Sequence, residues 1–119
     1  MEAQDAIQAF AALAQETRLA VFRLLVIAGP QGRAAGDIAA ELGLAPATLS
    51  FHLNHLRHAG LVAQRRESRS LIYSARFETV QALLGFLMRD CCQGQIAPDS
   101  LQPACSATAP TPQPKGTAK

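Results

Sequence analysis

The chain has 119 residues, of which 49% are hydrophobic, with three cysteines and a formal net charge of +2. This is enough for one compact domain, whereas no apolar stretch approaches the roughly 20 residues that cross a bilayer, and no secretory leader pattern opens the sequence. An odd number of cysteines, two of them adjacent, fits poorly with a secreted disulfide framework, so we expect a cytoplasmic protein with reduced thiols and no membrane partner.

Two helices are predicted in the first part of the chain. Apolar residues recur at helical spacing over residues 3–14. A second helix should begin with Thr17 as its cap and stop before Gly29 and Pro30. Because residues 19–26 are apolar nearly all round, we expect this second helix to be buried on most sides.

A helix, a tight turn and another helix follow. Residues 36–42 predict a short helix ended by Gly43, and Pro46 opens a fourth helix that runs up to Gly60. In a helix-turn-helix the second helix enters the DNA major groove with polar side chains. The fourth helix carries an apolar stripe of Leu49, Leu53 and Leu56. Its candidate DNA contacts are Thr48, Ser50, Phe51, His52, Asn54 and His55. An ordinary amphipathic helix with a solvated polar side is the alternative interpretation.

A basic hairpin comes next. Residues 61–63 and 71–73 predict two short strands joined by a basic loop. Residues 61–76 contain four arginines and one acidic residue, Glu67, which leaves a local charge of +3. Such a cluster attracts DNA phosphates, although it could equally be a solvated face. The arginines are Arg65, Arg66, Arg69 and Arg76, and the first three are the candidate phosphate contacts.

The C-terminal part changes in composition. A last helix is predicted over residues 77–92, with Gly94 available to end it. Five prolines after residue 97 argue against packed structure. We therefore predict a winged helix-turn-helix domain over residues 1–92, mainly α with a small β-hairpin, and a proline-rich tail over residues 93–119.

The motifs together resemble a known family. The stretch 45–62, followed by Arg65-Arg66-Glu67-Ser68-Arg69-Ser70-Leu71-Ile72-Tyr73, is similar to the recognition helix and wing of the ArsR/SmtB metalloregulatory repressors, and residues 13–19 are similar to that family's start. The resemblance implies a homodimer formed by the first and last helices. It also implies binding to a palindromic double-stranded operator and release when an inducer binds. Neither enzymatic activity nor an organic cofactor is expected, since the chain has no C-x-x-C, no phosphate-binding Gly-rich loop and no H-E-x-x-H.

The inducer depends on the thiols. Many arsenic-responsive members of the family carry a cysteine pair in the third helix, which has none here, and zinc-sensing members use histidines on the last helix, which also has none. The arrangement of Cys91, Cys92 and Cys105 resembles a subgroup with two adjacent cysteines at the end of the last helix and a third after it. The resemblance thus implies a repressor released by trivalent arsenic or antimony, soft ions that three thiolates can hold.

Alternatives stay open at this point. The same fold could sense thiol oxidation or a soft divalent metal such as Cd, Pb or Zn. Twelve residues separate Cys92 from Cys105, so the third ligand and the subunit that supplies it are undetermined, as is the choice among arsenite, antimonite and methylated arsenic. His52, His55 and His58 could share a helical edge, but DNA contact or solvent exposure is more ordinary there.

Overall fold

The computed structural model describes residues 1–90 of the chain. The chain divides into two units, Met1–Phe86 and Leu87–Lys119, and only the first four residues of the second are described. The predicted domain boundary at residue 92 and all three cysteines lie outside the described residues. No helix in residues 1–90 combines the length and the apolar character needed to span a membrane.

The described part contains five helices and a three-stranded sheet. In chain order the elements are α1 (Ala3–Leu13), α2 (Glu16–Ala28), β1 (Arg33–Ala34), α3 (Ala35–Leu42), α4 (Pro46–His58), β2 (Val62–Glu67), β3 (Ser70–Ala75) and α5 (Phe77–Leu87). This mainly helical order, in which a hairpin follows a helix-turn-helix, confirms the predicted winged helix-turn-helix.

Local backbone chemistry explains most of the helix boundaries. Gly43 ends α3 in the left-handed conformation, with φ of 66°, and its N–H donates back to carbonyls of the helix. Pro46 occupies the first turn of α4, where a missing N–H costs nothing. The prediction that Thr17 caps α2 was wrong. The cap is Gln15, whose side chain accepts a hydrogen bond of 2.8 Å from the Arg18 N–H, so α2 starts at Glu16.

The last helix is shorter than the sequence predicts. α5 ends at Leu87, residues 88–90 form a turn, and Asp90 has a positive φ of 62°. Asp tolerates the left-handed region better than most side chains, and one residue there is incompatible with a continuing α-helix. The prediction of a helix as far as Cys92 was therefore wrong, and α5 does not include the cysteine pair.

The wing is longer than predicted, and it has a third strand. β2 and β3 pair antiparallel from Val62 opposite Ala75 to Glu67 opposite Ser70. Arg65 and Arg66 therefore lie within β2 and not in a loop. The two-residue strand β1 pairs with the other edge of β3, which gives the order β1-β3-β2. A two-residue strand has too little periodicity for the sequence to predict it.

The loop before β1 lies directly on the sheet. Gly32 has a φ of 73°, and a Cβ built on it would overlap the backbone carbonyl oxygen of Tyr73. Only glycine combines this conformation with such a close backbone approach. The segment that joins α2 to β1 is consequently fixed against the wing.

The core gathers around α4, which contacts α1, α2, α3 and β2. The contribution of α1 to the core is small in volume. Its inward side carries three buried alanines, while its larger apolar residues Ile7 and Phe10 are exposed. The buried alanines are Ala6, Ala9 and Ala12. Small side chains let α1 approach the other helices closely and leave an apolar stripe on its outer side.

The second helix is only half buried. Val21, Phe22, Leu24 and Leu25 face the core, whereas Leu19, Val26 and Ile27 are exposed, Ile27 to 76%. The expectation that an all-round apolar helix would be buried on most sides was thus wrong for this helix. Within the described residues, α2 presents an apolar outer face that no other element covers.

Candidate nucleic-acid interface

The helix α4 has an inner and an outer side. Leu49, Leu53 and Leu56 are fully buried, as the apolar stripe predicts. Residues on the outer side are exposed and available to DNA. They are Thr48, Ser50, Phe51, Asn54 and His55, five of the six candidate contacts on this helix. A turn of three residues, 43–45, joins α3 to α4. This is the geometry in which a recognition helix presents one side to the major groove.

His52 is the sixth candidate, and the structure places it on the inner side. It is only 9% exposed, so the prediction that it contacts DNA was wrong. Its position explains this, because residues 49, 52, 53 and 56 follow the i, i+3, i+4, i+7 spacing of one helix face. The same spacing, applied without assuming that histidine is a surface residue, would have predicted its burial.

Phe51 contacts the two neighbouring histidines of α4. It is 62% exposed, and its ring meets those of His52 and His55 edge-on, with centroids 5.4 and 5.7 Å apart. An exposed aromatic ring on a recognition helix offers an apolar surface that can contact a thymine methyl group. The edge-on contacts hold the ring in position on this side of α4.

Asn54 already has a partner on the same helix. Its Oδ1 accepts a hydrogen bond of 3.3 Å from Nη2 of Arg57. Arg57 is exposed and lies one turn further along the outer side, although it is not among the contacts predicted from the sequence. Its three-residue spacing from Asn54 was the available signal, and it adds a cation to the candidate interface.

The arginines of the wing are not equivalent. Arg65 is held by Glu67 at 2.9 Å and donates to the backbone carbonyl of Gln31, also at 2.9 Å. In the part of the chain that the structure describes, Arg66 and Arg69 form no hydrogen bond or ion pair. Arg69 lies at the hairpin tip next to Ser68, whose φ is 56°. Arg66 and Arg69 are therefore the two wing cations free to contact phosphate.

The fourth arginine of the basic cluster is engaged elsewhere. Arg76 pairs with Glu78 at 3.1 Å near the start of α5. The backbone N–H of Glu78 and the Arg76 guanidinium hold the pKa of the Glu78 carboxyl below its ordinary value. Of the local charge of +3 that the sequence indicates, the wing itself thus presents two unpaired cations.

A metal site does not form among the described residues, since residues 1–90 contain no cluster of three His, Cys, Asp or Glu side chains able to hold an ion. The histidine edge of α4 is split, because His52 points inward while His55 and His58 are exposed. Cys91, Cys92 and Cys105, the predicted ligands, are outside the described range, so they remain a prediction.

These features define a winged helix-turn-helix with an exposed recognition helix and a basic hairpin, and comparisons with known proteins agree. Residues 13–65 match the profile of the family described as a helix-turn-helix domain. The chain is 40% identical over 81 residues to the uncharacterized HTH-type transcriptional regulator YceK of Bacillus subtilis, covering 67% of this chain and 80% of YceK. It is 33% identical to the transcriptional activator HlyU of Vibrio cholerae, over 69% of this chain and 73% of HlyU.

Solved structures show the same architecture. An ArsR-like transcriptional regulator from Rhodococcus sp. RHA1 superposes with a TM-score of 0.65 at 28% identity, covering 72% of this chain and 78% of that one. The homodimeric winged helix-turn-helix domain of Mb0332 from Mycobacterium bovis, a possible ArsR-family regulator, gives 0.57 at 29% identity, covering 71% and 83%. The chain belongs to the HTH-type transcriptional regulators, in the group that contains HlyU and the ArsR-like proteins. This family is non-enzymatic, which confirms the prediction that the protein is not an enzyme.

We expect Arg66→Ala to weaken binding to duplex DNA from the gene's own upstream region. Loss of one phosphate contact per protomer should reduce the slope of log affinity against log salt by about 0.9 for each contact. Fluorescence anisotropy at several salt concentrations measures this slope. Arg76→Ala is the matched control and should change the slope less, because Arg76 is paired with Glu78. An unaltered slope in the Arg66 variant would show that Arg66 does not contact phosphate.

His52 should make stability depend on pH. Burial, with the Arg18 guanidinium and His55 as smaller causes, lowers the pKa of its imidazole below 6.5, and the buried Nδ1 has no hydrogen-bond partner. As the pH falls, the imidazole is protonated more readily in the unfolded chain than in the folded one. The contribution of His52 to the free energy of unfolding is therefore fully present above pH 6.5 and is lost as the pH falls below it.

Urea unfolding at neutral and mildly acidic pH measures this effect. His52→Leu removes the titrating group and keeps an apolar side chain in the stripe, so the decline in the free energy of unfolding should become smaller. His58→Leu, on the exposed side of the same helix, should leave the decline as it is in the parent protein. Equal pH dependence in the parent and the His52 variant would exclude His52 as the cause.

Proposed function

We propose that the protein is a homodimeric transcriptional repressor that leaves its operator when trivalent arsenic or antimony is captured by Cys91, Cys92 and Cys105. The observation that carries this proposal is that the chain's three thiols all follow α5, the last helix in residues 1–90 of a DNA-binding domain, and that two of them begin four residues after its end. Trivalent arsenic and antimony are soft ions, for which thiolates are the preferred protein ligands. The family membership supports the DNA-binding half of the proposal.

The early end of α5 bears on the thiol pair. Successive residues of an α-helix point about 100° apart, which would separate two adjacent thiols. Since α5 ends at Leu87, its helical geometry does not impose that angle on Cys91 and Cys92. The pair can then converge on one ion, and closing the 12-residue gap to Cys105 costs little more than closing a shorter loop.

Dimerisation is supported by the outer faces of α1 and α5. Ile7 and Phe10 are exposed on α1, and Phe77 and Leu84 are exposed on α5. The two helices are neighbours, since residues of both line one cleft. Apolar stripes on adjacent helices are typical of surfaces that a partner buries, and homodimers are built from one such patch repeated about a two-fold axis. Mb0332, a structural relative, is homodimeric.

Metalloid capture could then be coupled to DNA release through α5. In the sequence the thiol pair follows the turn that ends this helix, so binding of an ion by the thiols would shift α5 at the dimer interface. The two recognition helices must match half-sites about one DNA turn apart, and a change in their separation weakens binding. A coupling free energy of about 1–3 kcal/mol corresponds to a roughly 5- to 150-fold loss of operator affinity.

The redox alternative is less well supported. A sensor thiol needs a depressed pKa, which a helix N-terminus favours and a helix C-terminus opposes. None of the helices in residues 1–90 begins at the pair, which follows α5 in the sequence. A metalloid avoids this difficulty because it displaces the thiol protons on binding. Soft divalent metals such as Cd, Pb or Zn share this advantage, and they are distinguished from arsenic by titration.

Phe10→Ser should weaken the dimer. Each dimer loses two copies of a large apolar side chain, so we expect a loss of roughly 3 kcal/mol or more in association free energy. Sedimentation equilibrium measures the dissociation constant. Phe51→Ser is the control, because Phe51 is also an exposed phenylalanine but lies on the recognition helix. Equal dimer affinity in both variants would place the interface elsewhere.

Titration of the reduced protein on its promoter DNA with arsenite tests the inducer. We expect the anisotropy of labelled DNA to fall at near-stoichiometric arsenite, because three thiolates bind the ion tightly. Cys91→Ser and Cys92→Ser should still bind DNA but should no longer be released. Ser106→Ala, adjacent to Cys105, is a control that should behave as the parent.

Cys105→Ser separates two forms of the proposal. If three thiols are needed, arsenite no longer releases this variant from DNA. If a monomethylated trivalent arsenic still releases it, the site uses two thiols. Release by Cd or by an oxidant, with none by arsenic or antimony, would contradict the metalloid proposal. A transcription assay with the same promoter determines the sign of regulation, since the relative HlyU is an activator.

A further inference from the structure

A groove runs along the outer face of α2. It has a volume of about 660 Å³ and is bounded by α2, by the loop that leads to β1, and by the end of α3. Its apolar lining includes Leu19, Leu24, Ile27 and Leu42. None of its lining residues comes from α1, α4 or α5, so it is separate from the recognition helix and from the helices proposed to form the dimer.

The apolar side chains of the groove are unusual for a free surface. Leu19 is 45% exposed and Ile27 is 76% exposed, although each would gain about 1.5–3 kcal/mol from full burial. Pockets for small organic ligands occupy about 300–1,000 Å³ and are mostly apolar with a few polar groups that fix orientation. The groove has both the size and the composition of such a pocket.

The charges around the groove indicate the kind of ligand. Arg33 and Glu41 pair with each other at 2.8 Å and offset one another. Arg23 also lines the groove, and within residues 1–90 it forms no hydrogen bond or ion pair. Glu16 lies seven residues earlier on α2, about 10 Å along the helix axis, so it does not offset the charge of Arg23 in water. The groove thus offers an apolar floor with one available cation.

We propose that this groove is an effector site for an organic anion with an apolar body, such as an aliphatic or aromatic carboxylate. The apolar body lies along Leu19, Leu24 and Ile27, and the anionic group pairs with Arg23. A concave pocket with a single cation favours such a small amphipathic molecule over a protein helix, which needs a larger and more continuous contact surface.

The groove is connected to the DNA-binding elements by direct contacts. Its loop wall includes Gln31, whose backbone carbonyl accepts the hydrogen bond from Arg65 of the wing. The next residue, Gly32, lies against the Tyr73 carbonyl of β3. The opposite wall includes Leu42 of α3, the first helix of the helix-turn-helix. A ligand that displaces either wall therefore moves an element that positions α4 or the wing, and this changes DNA affinity.

The binding test uses two fluorescent probes and three variants of the full chain. The probes are anilinonaphthalene sulfonate, an apolar body with one anionic group, and the neutral N-phenylnaphthylamine. We expect saturable binding of both. Arg23→Gln should weaken the anionic probe by roughly fivefold, the effect of an exposed ion pair, and leave the neutral probe unchanged. Ile27→Ser should weaken both probes.

Val26→Ser is the matched control. Val26 is an exposed apolar residue adjacent to Ile27 on α2 but is not part of the groove lining, so its replacement should leave both probes unaffected. Absence of saturable binding, or equal losses in the Val26 and Ile27 variants, would overturn the proposal. A third result would also overturn the proposal: the parent protein forms assemblies larger than its smallest oligomer, and Ile27→Ser abolishes them. The groove would then bind a second copy of the chain.

The effector role is tested with DNA and decanoate, an aliphatic carboxylate. In a variant with all three cysteines replaced by serine, decanoate should still shift the midpoint of DNA binding, and Arg23→Gln should reduce that shift. This result does not depend on the thiol proposal, since the thiols are absent. If decanoate leaves the midpoint of DNA binding unchanged in the variant with all cysteines replaced, the groove is not an effector site.

Discussion

The fold depends on the burial of one side of α4. Leu49, Leu53 and Leu56 pack among α1, α2, α3 and β2, so the candidate recognition helix is also the helix around which the core forms. A change on its inner side therefore alters both stability and the orientation of the outer side. His52 lies on the inner side with an unpaired Nδ1, a polar atom whose burial stabilises nothing in the described structure. Such an atom has a cost that the surrounding leucines must offset.

Much of the fold follows from local chemistry that the sequence displays. Gly43 and Pro46 mark the helix-turn-helix directly, because each is suited to one position at a helix boundary. The errors have two kinds of cause. Gln15 caps α2 in place of Thr17 through a local hydrogen bond that a long amide side chain at this position can also form, whereas the two-residue strand β1 forms because β3 offers an open edge. The end of α5 depends on the conformation of Asp90, which apolar periodicity does not record.

The candidate DNA site was predictable as a surface and less so residue by residue. The position of each outward side chain of α4 follows from helical spacing, yet the partners of those side chains do not. Arg65 is held by Glu67 and by a carbonyl of a segment more than thirty residues away in the chain, a contact that only the folded structure creates. The same holds for the groove on α2, since apolar residues all round a helix indicate burial in general and not which of them a neighbour leaves uncovered.

The alanines of α1 have a consequence for how such a regulator can diverge. Ala6, Ala9 and Ala12 set how closely α1 lies against the body of the domain. If the outer face of α1 carries the dimer contact, every methylene added on the inner face moves the two protomers apart and changes the distance between their recognition helices. The spacing of the DNA half-sites that the protein can span is then set partly by three methyl groups that never approach DNA. Relatives could acquire operators of different spacing through these positions alone, with the recognition helix unchanged.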